Sequence, residues 1–179
     1  IDKNTMVFFC SDNGAARRWE GLFNSSGKLR GHKRDLTEGG IRTPMIVSMP
    51  GKVPQGKVSE KPWYFPDVLP TFADIAGVEP PENIDGISVL PTLLGKEQNL
   101  KNRFLYWEYH GRGFAQAVRW KDWKAIKSGP DQSIELYNLS KDVGETNNIA
   151  EEHPQVFREI KGYLDTARTE SKYWRIDND

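Results

Sequence analysis

The sequence lacks a second cysteine, an excess of either charge, and any apolar run long enough to cross a membrane. Each absence excludes something. Cys10 is alone, so no internal disulfide can form and the redox compartment stays open. Lys and Arg number 25, as do Asp and Glu, and this balance argues against a broad electrostatic grip on nucleic acid or an anionic membrane. The apolar runs fall well short of the ~20 residues of a spanning helix, so no membrane span is expected. The opening Ile1-Asp2-Lys3-Asn4 does not have the charged-then-apolar layout of a signal peptide. What is present is an ordinary folding composition, 37% hydrophobic and 28% charged, which excludes a disordered chain. A length of 179 residues suits one domain with a real core, or one domain plus a small appendage. Tryptophan is plentiful. Trp63, Trp107, Trp120, Trp123 and Trp174 all lie after residue 60, where they suit either a buried core or a sugar-stacking surface.

Thr5–Cys10 is short, apolar and aromatic, and a glycine-containing turn closes it. It reads as a fully buried strand. No partner strand follows within thirty residues, so its companions are expected upstream, in a parallel arrangement. Residues 11–40 are rich in Gly, Asn, Ser, Arg and Lys without periodicity. Loops of that length in compact domains are usually functional or disordered. Met45–Met49 reads as a second buried strand, ended by Pro50-Gly51. Residues 62–77 predict a helix with Val68, Leu69, Phe72, Ile75 and Ala76 on one face, Pro70 near the first turn and Gly77 as its stop. A short helical piece is expected near 90–94. After about Asn102 the texture changes. Phe104–Tyr109, Phe114–Trp120, Trp123–Lys127 and Ile134–Asn138 are aromatic strands at hairpin spacing. His153-Pro154 opens a last helix carrying Val156, Phe157, Ile160, Tyr163 and Leu164 at helical spacing.

Chemistry is concentrated at the end of the first strand. In open α/β sheets, ligands bind beyond the carboxyl ends of strands. Asp12 and Asn13 sit there, and two adjacent hard oxygen donors suit Ca²⁺ or Mg²⁺ and not zinc. Gly14 lets the backbone turn without crowding an ion. The same residues would equally serve an Asx turn that ends the strand.

The segment from Gly27 to Pro44 alters that balance. Lys33 precedes Glu38-Gly39-Gly40-Ile41-Arg42-Thr43-Pro44 at about twenty residues from Asp12-Asn13-Gly14. Asp67-Val68-Leu69-Pro70-Thr71, Asp85-Gly86-Ile87-Ser88, Trp120-Lys121-Asp122-Trp123-Lys124 and Glu135-Leu136-Tyr137-Asn138-Leu139 follow in order. This ordered set resembles the sulfatase family of the alkaline phosphatase superfamily, over nearly the whole chain. The resemblance implies an α/β fold, α+β as a fragment: residues 1–100 as the C-terminal part of a mixed-sheet large domain, and 101–179 as a small antiparallel sheet with a packed C-terminal helix. It also implies that Asp12 and Asn13 are two ligands of a divalent cation, usually Ca²⁺, and that Lys33 contacts the sulfate. A fixed ammonium and a metal both stabilise charge that develops on sulfate oxygens as the S–O bond breaks.

Other residues carry weaker expectations. His110 and Arg112, in a turn of the small sheet, are candidate substrate contacts; a plain hairpin turn is the alternative. His32 is expected to be structural or substrate-lining, Glu38 and Arg42 to pair with each other or cap backbone, and His153 to start a helix. One family feature is missing. The family's nucleophile is a Cys or Ser in Cys/Ser-x-Pro/Ala-x-Arg, converted to formylglycine. Cys10 fails that pattern, because Asp12 stands where Pro or Ala is required and Gly14 where Arg is required. Cys10 reads as a small buried hydrophobe. The resemblance therefore implies the C-terminal portion of a sulfatase acting on sulfated small molecules or glycans, with formylglycine and the remaining metal ligands upstream. Its partner would be the N-terminal part of its own parent chain, its setting extracytoplasmic, and the piece alone inactive. The rival readings are a phosphomonoester or phosphonate hydrolase on the same scaffold, and a non-catalytic binding domain.

Overall fold

The computed structural model describes residues 1–111 and 113–174. The chain divides into two compact units, residues 1–10 with 44–102, and residues 11–43 with 103–179. The segment 11–43 thus clusters with the C-terminal residues and not with its neighbours in sequence.

In the first unit, β1 (Val7–Cys10) pairs antiparallel with β2 (Met45–Ser48), Phe9 lying opposite Ile46. The strand's described partner thus lies downstream, beyond the thirty residues that follow it. Among the described residues the two strands are covered on one face. Val7, Phe9 and Ile46 are 55%, 68% and 62% exposed, while Phe8 is half-buried with its ring 5.0 Å from that of Phe72. Successive side chains point to opposite faces of a strand. Only one face of this ribbon is covered within the unit, so a continuous apolar run ends up half in and half out.

The helix expected over 62–77 consists of a 3₁₀ turn, Phe65–Asp67, followed by α3 (Val68–Ala76). Pro70 lies in the first turn, where its missing N–H costs nothing. Gly77 takes φ 70°, and Val78 N–H returns to the Ala73 carbonyl at 2.9 Å. The buried side of α3 is Pro70, Thr71 and Ala73, whereas Leu69, Phe72 and Ile75 remain exposed. The face expected to be buried is thus largely open within this unit. The buried polar groups hold the chain that follows: Asp67 accepts the N–H groups of Tyr64 and Ile87, and Thr71 Oγ1 accepts that of Val89. A short α4 (Leu90–Leu93) comes next, as expected.

In the second unit the spacing is realised closely. β3 (Phe104–Tyr109), β4 (Ala115–Trp120), β5 (Trp123–Lys127) and β6 (Ile134–Asn138) form an antiparallel meander in that order. α5 (Pro154–Ala167) follows His153, which occupies its N-cap position. Period-two alternation gives this sheet two distinct faces. Val118, Ala125 and Leu136 pack with Ile160 and Leu164 of α5, joined by Val156, Phe157 and Tyr163. Ala117, Ile126 and Tyr137 face the other way and pack with Trp107 and with Leu36 from segment 11–43. That loop therefore covers the second face of the sheet. Within it lie two single helical turns, α1 (Glu20–Phe23) and α2 (Glu38–Ile41).

Candidate functional site

Asp12, Asn13 and Lys33 all lie in segment 11–43, and backbone contacts join them. Gly14 N–H donates to the Gly40 carbonyl at 2.8 Å, and Lys33 N–H donates to the Ala15 carbonyl at 2.8 Å. A Cβ on Gly14 would stand 1.9 Å from the Gly39 carbonyl oxygen, so only glycine permits this approach. On Gly40 it would stand 2.0 Å from the Asp35 carbonyl oxygen. The Asp-Asn-Gly turn, the Lys33 turn and α2 are thus interlocked main chain against main chain. Asp12 and Lys33 are exposed and Asn13 is half-buried. Arg34, next to Lys33, holds φ 84°. Such backbone is unfavourable for an L-residue and persists where surrounding structure imposes it.

Asn13 Nδ2 donates to the Gly14 carbonyl at 2.9 Å, and Ser11 Oγ donates to the Asn13 carbonyl at 2.8 Å. An amide whose NH₂ is engaged offers its oxygen as ligand atom. Asp12 and Asn13 thus form a hard oxygen pair of the kind Ca²⁺ or Mg²⁺ takes. Two donors are fewer than the ~6–8 that Ca²⁺ takes, and no group of three or more His, Cys, Asp or Glu able to hold a metal occurs among the described residues. The pair fits a share of a hard-cation site, not a whole one.

His32 lies beside Lys33 with its Nε2 3.1 Å from Glu20 Oε2, and its backbone N–H donates to Asp35 Oδ2. His110 lies at the end of β3, its Nε2 3.6 Å from Glu108, with ring centroids 5.0 Å from Phe114 and 4.3 Å from Trp174. Its described contacts do not include Asp12, Asn13 or Lys33. Arg112 lies outside the described residues.

Beneath the loop is a buried charge cluster that the sequence alone does not reveal. Glu38 opens α2 and is 1% exposed; Lys124 on β5 and Glu145 are both 0% exposed. Lys124 Nζ donates to Glu38 Oε1 at 2.9 Å and lies 3.6 Å from Glu145 Oε1. Arg119 and Arg42 approach Glu38 Oε2 at 3.4 and 3.7 Å, so the expected Glu38–Arg42 pairing is present within a larger set. Burial opposes the charged form of Glu38, but Lys124, Arg119 and Arg42 outweigh it and hold the carboxyl below the usual glutamate range. Burial dominates at Glu145 and pushes its carboxyl up, against the pull of Lys124 and the Glu38 N–H. Nothing in the local sequence marks Lys124 as buried. In Trp123-Lys124-Ala125-Ile126 it alternates with Ala125 and falls on the face opposite α5, which looks solvated until the loop is laid over it.

The fold and these interlocked turns define a class, and comparison with known proteins gives the family. A family model described as N-sulphoglucosamine sulphohydrolase, C-terminal, matches residues 31–170. The chain is 31% identical over 205 residues to a steryl-sulfatase of Mus musculus, covering 93% of this chain and 32% of that relative. It is 32% identical over 194 residues to an N-acetylgalactosamine-6-O-sulfatase of Bacteroides thetaiotaomicron, covering 94% and 37%. Among solved structures it superposes on Ps i-CgsB in complex with k-i-k-neocarrahexaose with TM-score 0.78 and 29% identity, covering 98% of this chain and 39% of that one. BT4656 in complex with D-glucosamine-2-N,6-O-disulfate gives TM-score 0.73 and 26% identity, covering 92% and 34%. The chain belongs to the sulfatase family and matches its C-terminal region. It spans about a third of the length of the curated relatives it matches.

Proposed function

We propose that this chain is the C-terminal part of a sulfatase that hydrolyses sulfate monoesters, of carbohydrates in the first instance. Asp12 and Asn13 supply two ligands of a Ca²⁺ site, and Lys33 binds the sulfate. The carrying observation is the interlock of the Asp12-Asn13-Gly14 turn with Lys33 through Ala15 and Gly40. Two neighbouring turns then present a pair of oxygen donors and a cation as a unit. Bound Ca²⁺ would supply Lewis-acid stabilisation of the negative oxygens. Lys33 holds an ammonium at the sulfate as charge develops during S–O cleavage, and a preorganised cation does this without reorganising. Asn13 contributes a ligand oxygen without a second negative charge beside the anionic substrate. The nucleophile belongs to the remainder of the protein, since Cys10 ends β1 opposite Met45 and lacks the required flanking residues. The chain alone therefore binds Ca²⁺ weakly and does not turn over. The parent acts outside the cytoplasm.

The test is made in the full-length protein with aryl and glycan sulfates and the matching phosphate esters. Asp12→Ala should release Ca²⁺ and abolish turnover. Lys33→Ala should keep Ca²⁺ and lower kcat by about 10²–10³-fold, as loss of one donor to a developing oxyanion does. Unchanged metal content in Asp12→Ala would refute the ligand assignment, and faster cleavage of the phosphate esters would refute the sulfatase reading.

A further inference from the structure

The buried cluster of Glu38, Lys124 and Glu145 does no chemistry itself, because no substrate can reach side chains so fully covered. Nor is it needed for stability as such. Burying an ion pair is costly, and well-packed apolar residues of similar volume often serve a fold as well or better. What a charge cluster supplies, and an apolar one does not, is directional contact.

We infer that Lys124 and Glu145 are positioning residues for the Asp12–Asn13–Lys33 site, a role that rests on the function proposed above. Glu145 Oε2 accepts the Glu38 backbone N–H at 2.8 Å, fixing the main chain where α2 begins. Lys124 holds the Glu38 side chain from the sheet at 2.9 Å. Glu38 is thereby held at both its backbone and its carboxylate. The next two residues carry that position outward. Gly39 N–H donates to the Arg30 carbonyl at 2.7 Å, and the Gly40 carbonyl accepts Gly14 N–H. Gly14 follows Asn13 directly and precedes Ala15, whose carbonyl holds Lys33. Arg30 closes a second route, donating to the Glu145 carbonyl at 2.6 Å and to Tyr137 Oη at 3.2 Å. Each step from Lys124 to the site is a hydrogen bond or a covalent neighbour, and the Gly14–Gly39 approach leaves no room to absorb a shift. The antiparallel sheet would thus set the geometry of a site formed by residues far earlier in the chain.

Lys124→Met tests this in the full-length protein, removing the ammonium and keeping most of the stem. Amide hydrogen exchange is the primary readout, since it does not depend on bound metal or on turnover. Exchange at Gly14 and Lys33 should accelerate at least ~10-fold, while amides of β4, β5 and α5 keep their protection. Ca²⁺ affinity, measured by titration, should fall with it. Lys124→Arg should restore both in part. If Lys124→Met does not fold, the triple Lys124→Met, Glu38→Gln, Glu145→Leu, which leaves none of the three side chains charged and removes the acceptor of the residue-38 N–H, replaces it, with the same expectation. Unchanged exchange at Gly14 and Lys33, or uniform loss of protection over the whole unit, would overturn the positioning role. Asp12→Ala separates this from the site itself: Ca²⁺ binding that survives Asp12→Ala refutes the ligand assignment and leaves the exchange result standing.

Discussion

Gly14→Ala is the sharpest perturbation the structure offers. The added methyl would lie 1.9 Å from the Gly39 carbonyl oxygen and 2.8 Å from both Gly39 C and Gly40 Cα. All three are backbone atoms, so no side chain can swing away. Ordinary contact requires the turn to retreat by more than ~1 Å, given carbon contacts of about 3.5 Å. That movement breaks the 2.8 Å bond from Gly14 N–H to Gly40, worth about 1 kcal/mol net. Overpacking adds about 1–3 kcal/mol, so a destabilisation of roughly 2–4 kcal/mol is expected. A misplacement of that size at a reacting group can cost about 10²-fold in rate. The assays are urea unfolding of this chain and kcat/KM with Ca²⁺ titration in the full-length protein. Gly21→Ala is the control: nothing lies within 4 Å of its Cβ, and it sits in α1. It should be neutral, or stabilising by up to about 1 kcal/mol. Equal effects of the two substitutions would refute the argument from close approach.

Two further outcomes follow from the same structure. Glu38 is held below the ordinary value of 4.5, so the stability it contributes is present above that pH and is lost as pH falls through its folded range. Glu145 shifts upward and acts in the opposite sense. The stability gap between wild type and Glu38→Gln, roughly 1.5–3 kcal/mol for a hydrogen bond to a charged group, should therefore be widest near neutral pH and narrow in acid; a gap constant from pH 7 to 3 would refute the assignment. In this chain by itself, the open ribbon face of Val7, Phe9 and Ile46 should bind an apolar dye, and Phe9→Ser with Ile46→Thr should lower that signal with little loss of stability, whereas a large drop in its melting temperature would show that the face is packed.

Local pattern made β3–β6 and α5 legible almost residue by residue. Trp120 and Trp123 face each other across Lys121-Asp122 in a two-residue hairpin, with Lys121 at φ 56°. The helix after His153 buries Ile160 and Leu164, as its spacing requires. These elements meet partners close in sequence, so nearest-neighbour chemistry suffices. β1 was legible as a strand but not in its pairing, because a strand's partner depends on long-range topology. α3 was legible as a helix, yet its stripe of Leu69, Phe72 and Ile75 is not the side buried within its unit.

The candidate site divides along the same line. Asp12, Asn13 and Lys33 became candidates through the resemblance of the ordered motifs to those of sulfatases; by residue type alone they suit an Asx turn and a solvated loop lysine. Their mutual position is decided by main-chain contacts of Gly14, Gly39 and Gly40, which have no side chain to advertise them, and by Glu38, Lys124 and Glu145, each an ordinary surface residue by type. Burial turns those three into an anchor, and burial exists only once the loop of residues 11–43 lies on the sheet. Side-chain chemistry is local and can be read along the chain; the dielectric and the neighbours that give a charge its meaning are tertiary.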